Sequence, residues 1–565
     1  MKSKRILALM ATLLIGGTSV GSLAACGGSV GNKIELDPNK ANLIVATFDG
    51  GVGYEWLEEA AARFEGIYKD ATHFQEGRTG VKIHVDPQKE KYRGEALQED
   101  SLKRDMYFTE GVDYYTFVNK GKVADITDIV SGENSSLEAY GESGTIAEKI
   151  DPNFAGYLTA KDDHYYMLPF YDGFYGFIYD IELFENNGFF LDKDGDYTPI
   201  QIPDEATAEE IEAIRKEYND NKSNGPDGEH GTYDDGLPAT YEEMIALCDR
   251  IVSKGCIPFC YSGQYSDYVS KACRDFIADY EGYDGFSLNY TFDGTANIVT
   301  DVTDDWTVET KEVTITQKNA YELQKQAGKY YALKMQETLF GSLEYIGGSW
   351  NSYSFTVAQR EFIKSKYKEA PYAMLVDGIW WENEASEAFK SFEDETGESK
   401  EDRRFGFLPM PKVNAERVGE KQTMFSANSS FGFINADCEN MELAKEFMKF
   451  LHTDSEMSKF SAKTSISRAL NYKVSEADKA YATNFGKSVI EMRNAANVVY
   501  PYSSLELVIN NPSFFAEEKW FLTATVDGRV VKSPFDAFKK NSATAEEYFN
   551  GLYTYQSKQW SSLKN

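Results

Sequence analysis

The stretch Pro371–Glu382, PYAMLVDGIWWE, decides the fold that we expect for this chain. Its apolar run AMLV is followed by the turn dipeptide Asp377-Gly378, which predicts a buried strand that ends at a sheet edge. Ligands bind at such strand ends in open α/β sheets. Trp380 follows this turn and can present a flat apolar face to a ligand such as a sugar, whose C–H faces are also apolar. The alternative is that Trp380 and Trp381 only fill a core, as tryptophans usually do.

The composition excludes several classes of protein. The 565 residues carry a formal net charge of −33, which repels nucleic acid and anionic lipid, so no nucleic-acid partner is expected. This length is enough for two or more domains. The chain also contains 37 Tyr, 36 Phe and 7 Trp, whereas disordered chains are poor in aromatic residues. The surplus of tyrosine suits wide, wet binding surfaces in addition to a core.

The N-terminus predicts export and a lipid anchor. Basic residues and a short apolar run make residues 1–25 a signal peptide, too short and too soon interrupted by glycine to span a membrane. The sequence LAAC at 23–26 resembles the bacterial lipobox, which implies cleavage before Cys26 and a diacylglyceryl group on its sulfur. An ordinary signal peptide with a chance cysteine is the alternative. We expect this lipid to be the only membrane attachment, at the outer face of the cytoplasmic membrane.

A polar, acidic insertion spans residues 190–237. It contains two runs in which carboxylates alternate with other residues around a glycine, so that one loop can offer several hard oxygens to Ca²⁺. The candidate calcium ligands are Asp192, Asp194, Asp196, Asp227, Glu229 and Asp234. Neither run matches the full EF-hand pattern, so a solvated acidic loop is the alternative. We expect no required cofactor, and any calcium would be structural.

Four cysteines are close in the sequence: Cys248, Cys256, Cys260 and Cys273. The spacing of Cys256 and Cys260 is not the CxxC of a zinc site, and no histidine lies near them. One disulfide among these four residues is about as compatible with the sequence as buried free thiols are.

Strands and helices alternate in the first part of the chain. Residues 42–48 and 79–85 have strand patterns, a helical pattern at 56–64 lies between them, and a third strand is predicted at 105–108. This rhythm predicts a doubly wound α/β sheet with parallel strands. Residues 168–180 are predicted to be extended, because proline and glycine interrupt any helix there.

The order of these pieces resembles the family 1 extracellular solute-binding proteins over roughly residues 42–470. Each piece is weak alone, but seven of them occur in the family's order behind a lipobox. They are the strand, loop and helix of 43–64, the segment 105–123, the extended segment 168–180, the P-x-T-x-x-E helix 238–251, the strand and tryptophan of 373–381, the LPMP of 408–411, and the strand and helix of 426–450.

The resemblance implies an α/β, two-lobe fold like that of periplasmic binding proteins, with parallel-type sheets in each lobe joined by hinge strands. Lobe 1 is expected to comprise 40–167 and about 406–460, and lobe 2 to comprise 168–405 and about 461–565, after a flexible tether at 26–39. The implied ligand-binding residues are Asp49, Gly50, Thr109, Glu110, Asp113, Tyr171, Asp172, Tyr265, Trp380, Ser426 and Asn428.

The same resemblance implies a monomer that captures an oligosaccharide and delivers it to the permease subunits of an ABC importer. Closure of the lobes would bring aromatic faces from both sides onto the sugar. One alternative is a surface enzyme that acts on glycans through paired carboxylates, although no catalytic motif stands out among the five histidines. The other is a lipoprotein that binds a non-sugar ligand such as a peptide. The sequence identifies neither the sugar nor the permease.

Overall fold

The computed structural model describes residues 34–304, 306–341, 343–347, 350–427 and 429–563. The predicted signal peptide, the lipidation site Cys26, the first part of the tether and the predicted ligand residue Asn428 lie outside these residues. None of the described helices combines the length and the apolar character that crossing a bilayer requires.

The described residues form strands in five sheets. The strands are β1 (Ala41–Phe48), β2 (Val81–Gln88), β3 (Met106–Thr109), β4 (Met167–Pro169), β5 (Tyr175–Asp180), β6 (Ile257–Cys260), β7 (Gly294–Asp304), β8 (Thr307–Ile315), β9 (Tyr372–Gly378), β10 (Phe405–Leu408), β11 (Thr423–Phe425), β12 (Phe431–Ile434), β13 (Asn497–Val499), β14 (Ala524–Val526) and β15 (Arg529–Val531).

Helices surround these sheets. They are α1 (Glu55–Ile67), α2 (Gly94–Glu99), α3 (Tyr114–Asn119), α4 (Thr127–Val130), α5 (Pro152–Thr159), α6 (Ile181–Asn187), α7 (Ala208–Asp220), α8 (Tyr241–Ser253), α9 (Asp267–Ala272), α10 (Arg274–Thr291), α11 (Ala327–Phe340), α12 (Phe355–Ile363), α13 (Trp381–Glu384), α14 (Ser386–Thr396), α15 (Met441–Leu451), α16 (Asp454–Thr464), α17 (Glu476–Lys479), α18 (Asn484–Ala495), α19 (Glu506–Ile509), α20 (Pro512–Phe515), α21 (Pro534–Lys539) and α22 (Ala545–Trp560). Short 3₁₀ turns and one π turn (Glu518–Leu522) complete the secondary structure.

The first sheet, in the order β2-β1-β3-β12-β4, is the framework of the first lobe (residues 41–169 and 431–464). β1 is parallel to β2 and β3, whereas β12 is antiparallel to both of its neighbours. Alternation along β1 places Leu43 and Val45 in the core, and α1 covers the sheet with the apolar stripe that the sequence predicts. The helix and the parallel strands together bring the loop after β1 to one edge of the lobe.

The second sheet, in the order β10-β5-β9-β6, is the framework of the second lobe (residues 175–408). β9 is parallel to β6 and antiparallel to β5, and β10 is also antiparallel to β5. Both sheets are therefore mixed, and the expected parallel pairing holds only for part of each. The physical reason is that β5 and β12 enter their sheets directly from the other lobe and not through the long crossover that parallel neighbours need.

Strand pairing also locates the crossings between the lobes. β4 belongs to the first sheet and β5 to the second, so the first crossing is residues 170–174. The return lies at 409–430, later than the boundary expected at about 406, because β10 pairs with β5 of the second sheet. A third crossing follows α16, which packs on α1, and leads to α18, which packs on β10.

The C-terminal segment (residues 465–563) completes the second lobe. Its β13 pairs with β11 of the return crossing, and α22 packs on α11. The second sheet consequently has apolar cover on both faces: Ile178 and Leu375 face the core shared with the first lobe, while Phe177 and Val376 face a separate core that includes α22. This segment is therefore part of the folded body.

All five cysteines in the described residues are free. The four clustered ones, Cys248, Cys256, Cys260 and Cys273, are buried, and burial raises the pKa of each thiol. The sequence left open either one disulfide or buried free thiols, and the structure contains buried free thiols.

Candidate functional site

A cleft of about 940 Å³ lies between the two lobes. The first lobe lines it with the loop after β1, the start of α1 and the end of α16. The second lobe lines it with residues 382–387, which follow β9, and the C-terminal segment adds Asp478, Tyr481 and Thr483. The cleft is therefore bounded by the loops that follow β1 and β9, as expected for a ligand site at strand ends.

Trp380 lies where the two lobes meet. A Cβ atom added to Gly51, in the loop after β1, would come within 2.7 Å of the Cβ of Trp380, so the backbone of the first lobe contacts this side chain directly. The Trp380 ring meets the Tyr175 ring edge-to-face, with centroids 4.9 Å apart. Tyr175 in turn contacts Tyr268, with ring centroids 5.5 Å apart. Trp380 is partly exposed and lies two residues before the segment 382–387 that lines the cleft.

Trp381 has the opposite environment. Its side chain is 0 % exposed and packs among the rings of Phe362, Phe389, Phe405 and Phe485. The core interpretation is therefore correct for Trp381, whereas Trp380 packs at the edge of this core, against Gly51 of the first lobe and Tyr175. The difference arises because the chain enters α13 between these two residues, so that consecutive side chains point in different directions.

Carboxylates from both lobes lie beside the aromatic residues. In the first lobe, Glu110 accepts a hydrogen bond from the Tyr171 hydroxyl at 2.7 Å. In the second lobe, the Gln359 amide donates to Asp377 at 3.0 Å and to Glu384 at 2.8 Å. Burial raises the pKa of Glu110 and of Glu384, and in both cases the positive charge of nearby Lys89 opposes the shift. The arrangement offers several acceptor oxygens to hydroxyl groups.

Asp377, a buried carboxyl near the end of β9, is expected to make the stability of the protein depend on pH. Burial, followed by the charge of Glu384, raises the pKa of Asp377 from its ordinary value of 3.8 to about 8. Because the folded state favours the protonated form, the stability that this proton contributes is fully present below 3.8 and is lost as the pH rises through about 8.

Replacing Asp377 with asparagine should therefore flatten the fall in melting temperature as the pH rises between these two values. Thermal unfolding of both proteins at a series of pH values measures this difference. Asp394→Asn, at an exposed position on α14, is the matched control and should keep the wild-type profile. An unchanged profile in Asp377→Asn would contradict the prediction.

Three further predicted ligand residues are at the cleft or next to it. Asp49 and Gly50 line the cleft directly. Burial, and then the charge of Glu55, raises the pKa of Asp49. Tyr171 is buried and reaches the site through its hydrogen bond to Glu110. Asp49, Gly50, Glu110, Tyr171 and Trp380 are the predicted residues that the structure places at the cleft or next to it.

Thr109 and Asp113 have local structural roles. The Thr109 hydroxyl is buried and donates to the backbone carbonyl of Tyr92. Asp113 is the N-cap of α3, where its carboxylate accepts from the Thr116 backbone N–H at 3.2 Å. Thr109 is the last residue of β3 and not part of the loop after it, Asp113 lies in that loop, and the polar atoms of both satisfy the protein's own donors and acceptors.

Asp172 and Ser426 lie at the crossings. Asp172 is 0 % exposed, and its carboxylate accepts from the Arg493 guanidinium at 2.9 Å and from the Tyr500 hydroxyl at 3.0 Å. The Ser426 hydroxyl is buried and accepts from the Gly173 backbone N–H at 3.0 Å. Burial raises the pKa of Asp172, and the charge of Arg493 opposes the shift. Both side chains tie the crossings together.

Tyr265 is 49 % exposed, and its ring lies 5.7 Å from that of Phe355. It is Tyr268, at the start of α9, whose ring contacts Tyr175, and Tyr175 in turn contacts Trp380. Sequence reasoning also missed Tyr175, Asp377 and Glu384 as site residues. Their positions in the sequence could have identified them as site residues, because Tyr175 follows the first crossing and both carboxylates flank Trp380.

The acidic insertion uses its carboxylates within its own loops. Asp192 accepts from the backbone N–H groups of Asp194 and Asp196, and Asp227 accepts from that of Glu229. Asp234 is buried and accepts from the Asp227 N–H. In the part of the chain that the structure describes, no group of three or more His, Cys, Asp or Glu side chains is arranged to hold a metal ion. Calcium binding stays a prediction.

Two α/β lobes, three crossings between them and an aromatic, carboxylate-lined cleft define a two-lobe solute-binding protein. The family model described as bacterial extracellular solute-binding protein matches residues 53–457, and the chain belongs to this family. The match ends inside α16, so the C-terminal segment lies beyond it. No curated protein matches the chain in sequence.

Solved structures of sugar-binding proteins have a similar fold. The solute-binding protein RafE in complex with raffinose has a TM-score of 0.51 and 12 % identity, and the match covers 92 % of this chain and all of RafE. The apo form of RafE from Streptococcus pneumoniae has a TM-score of 0.51 and 13 % identity, with 93 % and 100 % of the two chains covered. The predicted two-lobe fold and the predicted family are thus confirmed.

Proposed function

We propose that this protein is the extracellular binding component of an ABC importer that captures an oligosaccharide in the interlobe cleft. In this proposal, a lipid on Cys26 anchors a monomer to the outer face of the cytoplasmic membrane, and the loaded protein delivers the sugar to the permease. The observation that carries the proposal is the position of Trp380, a partly exposed aromatic side chain just after β9 that contacts Gly51 of the first lobe beside the cleft.

The chemistry around Trp380 suits a carbohydrate. An aromatic face packs against the apolar C–H face of a sugar ring, while the hydroxyl groups at its rim need hydrogen-bond partners. Asp49 and Glu384 line the cleft from its two lobes and supply charged acceptors, which make the stronger hydrogen bonds. Because these groups belong to different lobes, a bound sugar would stabilise the closed arrangement. Raffinose in the structure of RafE is in keeping with this ligand class.

A glycan screen tests the proposal. The full-length chain in detergent is mixed with maltose to maltohexaose, with raffinose, stachyose and verbascose, and with chitin oligosaccharides, and its melting temperature is measured. Hits are then titrated by calorimetry. A rise in melting temperature with one glycan series is the expected result, because a ligand that binds only the folded state stabilises it.

The same screen distinguishes the other functions. New reducing ends after incubation would favour a glycan-active enzyme, and stabilisation by peptides but by no glycan would favour a peptide-binding lipoprotein. Repeating the melts with EDTA and with added calcium tests the metal prediction for the insertion. A lower melting temperature in EDTA, restored by calcium, is what calcium binding predicts.

A further inference from the structure

The C-terminal segment contributes an unusually exposed aromatic side chain to the cleft. Tyr481, between α17 and α18, lines the cleft and is 87 % exposed. The other exposed tyrosines among the described residues, Tyr265 and Tyr367, are 49 % and 58 % exposed and do not line this cleft. Because the protein does not cover the Tyr481 ring, its apolar area stays available to a ligand in the cleft.

The backbone that carries Tyr481 is fixed on both sides. Before it, the Ser475 side chain caps α17 and donates to Asp478 at 2.7 Å. After it, the Thr483 side chain caps α18, accepting from the Gly486 backbone N–H at 3.0 Å. Tyr481 therefore lies on a short segment that is fixed at both ends by helix-capping hydrogen bonds, although its side chain is exposed.

This segment is joined to the residues that follow Trp380. The Glu382 carboxylate is buried and accepts from the hydroxyls of Thr483 at 2.9 Å and Ser465 at 3.0 Å. The Asn383 amide donates to the Thr464 carbonyl at 2.6 Å. Hydrogen bonds thus join the residues that directly follow Trp380 to the segment that carries Tyr481, and both line the cleft.

The opposite side of the cleft has matching chemistry. Tyr54, from the first lobe, is partly exposed and lines the same cleft, together with Asp49 and Arg63. Aromatic and charged side chains from both lobes therefore line the cleft in addition to the residues that follow Trp380. A volume of about 940 Å³ is near the top of the range of about 300–1,000 Å³ for ligand sites. A cleft of this size has room for more than one sugar ring.

We propose that Tyr481 forms a distal subsite that binds a further ring of an oligosaccharide whose first ring contacts Trp380. This inference rests on the proposed carbohydrate function and extends it, because it makes the ligand a longer chain and gives the C-terminal segment, which lies beyond the family match, a role in recognition. The Tyr481 ring would cover the C–H face of the distal sugar, and the surrounding carboxylates would accept from its hydroxyls.

Titration calorimetry of the full-length chain with glycans of increasing length tests the subsite. The probes are maltose to maltohexaose, and raffinose, stachyose and verbascose. For the series that binds, Tyr481→Ala should lower the ratio of long-chain to short-chain affinity about tenfold, or about 1.4 kcal/mol. Tyr481→Phe should preserve the ratio, since the ring is retained. Tyr367→Ala, at an exposed tyrosine outside the cleft, is the matched control.

Two results would overturn the inference in different ways. An identical ratio in Tyr481→Ala and wild type, with both proteins binding, would remove the subsite and leave the proposed function standing. Absence of binding of any glycan by the wild-type chain would overturn the proposed function itself, and the subsite with it. The melting temperature of Tyr481→Ala should equal that of the wild type, because so exposed a side chain contributes little to folding.

Discussion

Trp380→Ala is expected to lower the affinity for the glycan that binds the wild-type chain at least about 100-fold, which corresponds to about 2.7 kcal/mol. The substitution removes the aromatic face for the sugar and also the side chain that contacts Gly51 of the first lobe. Binding and closure would therefore weaken together, as is typical when a central aromatic anchor is truncated. Titration calorimetry of the two proteins with the same glycan measures the loss.

The neighbouring tryptophan provides the matched control. Trp380 is partly exposed, so its removal should change the melting temperature little. Trp381 is 0 % exposed, and Trp381→Ala should destabilise the fold by about 3–5 kcal/mol because of the cavity that it leaves. Retained affinity in Trp380→Ala, in a protein that melts like the wild type, would exclude Trp380 from the site.

Asp172→Ala is expected to destabilise the protein by about 3–5 kcal/mol, the usual cost of breaking a buried ion pair from one side. The substitution leaves the largely buried Arg493 guanidinium without its carboxylate and removes the acceptor of the Tyr500 hydroxyl. Since Arg493 and Tyr500 belong to the C-terminal segment, this segment would loosen from the first crossing. Urea-induced unfolding measures the change in free energy.

Glycan titration of the same variant separates a structural role of Asp172 from a ligand-binding one. A ligand residue would lose affinity on substitution with little change in the free energy of unfolding, whereas a structural one shows the reverse. Asp394→Ala, at an exposed position, should stay within about 0.5 kcal/mol of the wild type. Unchanged unfolding of Asp172→Ala together with lost glycan binding would support the interpretation from the sequence against the one from the structure.

The features of the site that depend on residues close together in the chain could be predicted from the sequence. The strand β9, the turn after it and the position of Trp380 follow from local pattern, because burial period and turn chemistry act over a few residues. The loop after β1, with Asp49 and Gly50, follows from the same kind of signal. In contrast, Thr109, Asp113 and Ser426 were predicted as ligand residues, but their side chains bond to the protein itself. Whether a polar atom faces the cleft depends on partners far away in sequence.

From the local pattern of apolar residues and turns, the sequence by itself determined the strand that presents Trp380. Its resemblance to the family 1 extracellular solute-binding proteins gave the family and implied the two-lobe fold. Only the tertiary structure decided that Arg493 binds Asp172 and that Tyr481 lines the cleft. It also decided that Tyr268, and not Tyr265, contacts the Tyr175 ring beside Trp380. Such contacts join residues up to several hundred positions apart. They depend on how the lobes and the C-terminal segment pack, and the pattern of apolar residues along a single strand or helix does not specify that packing.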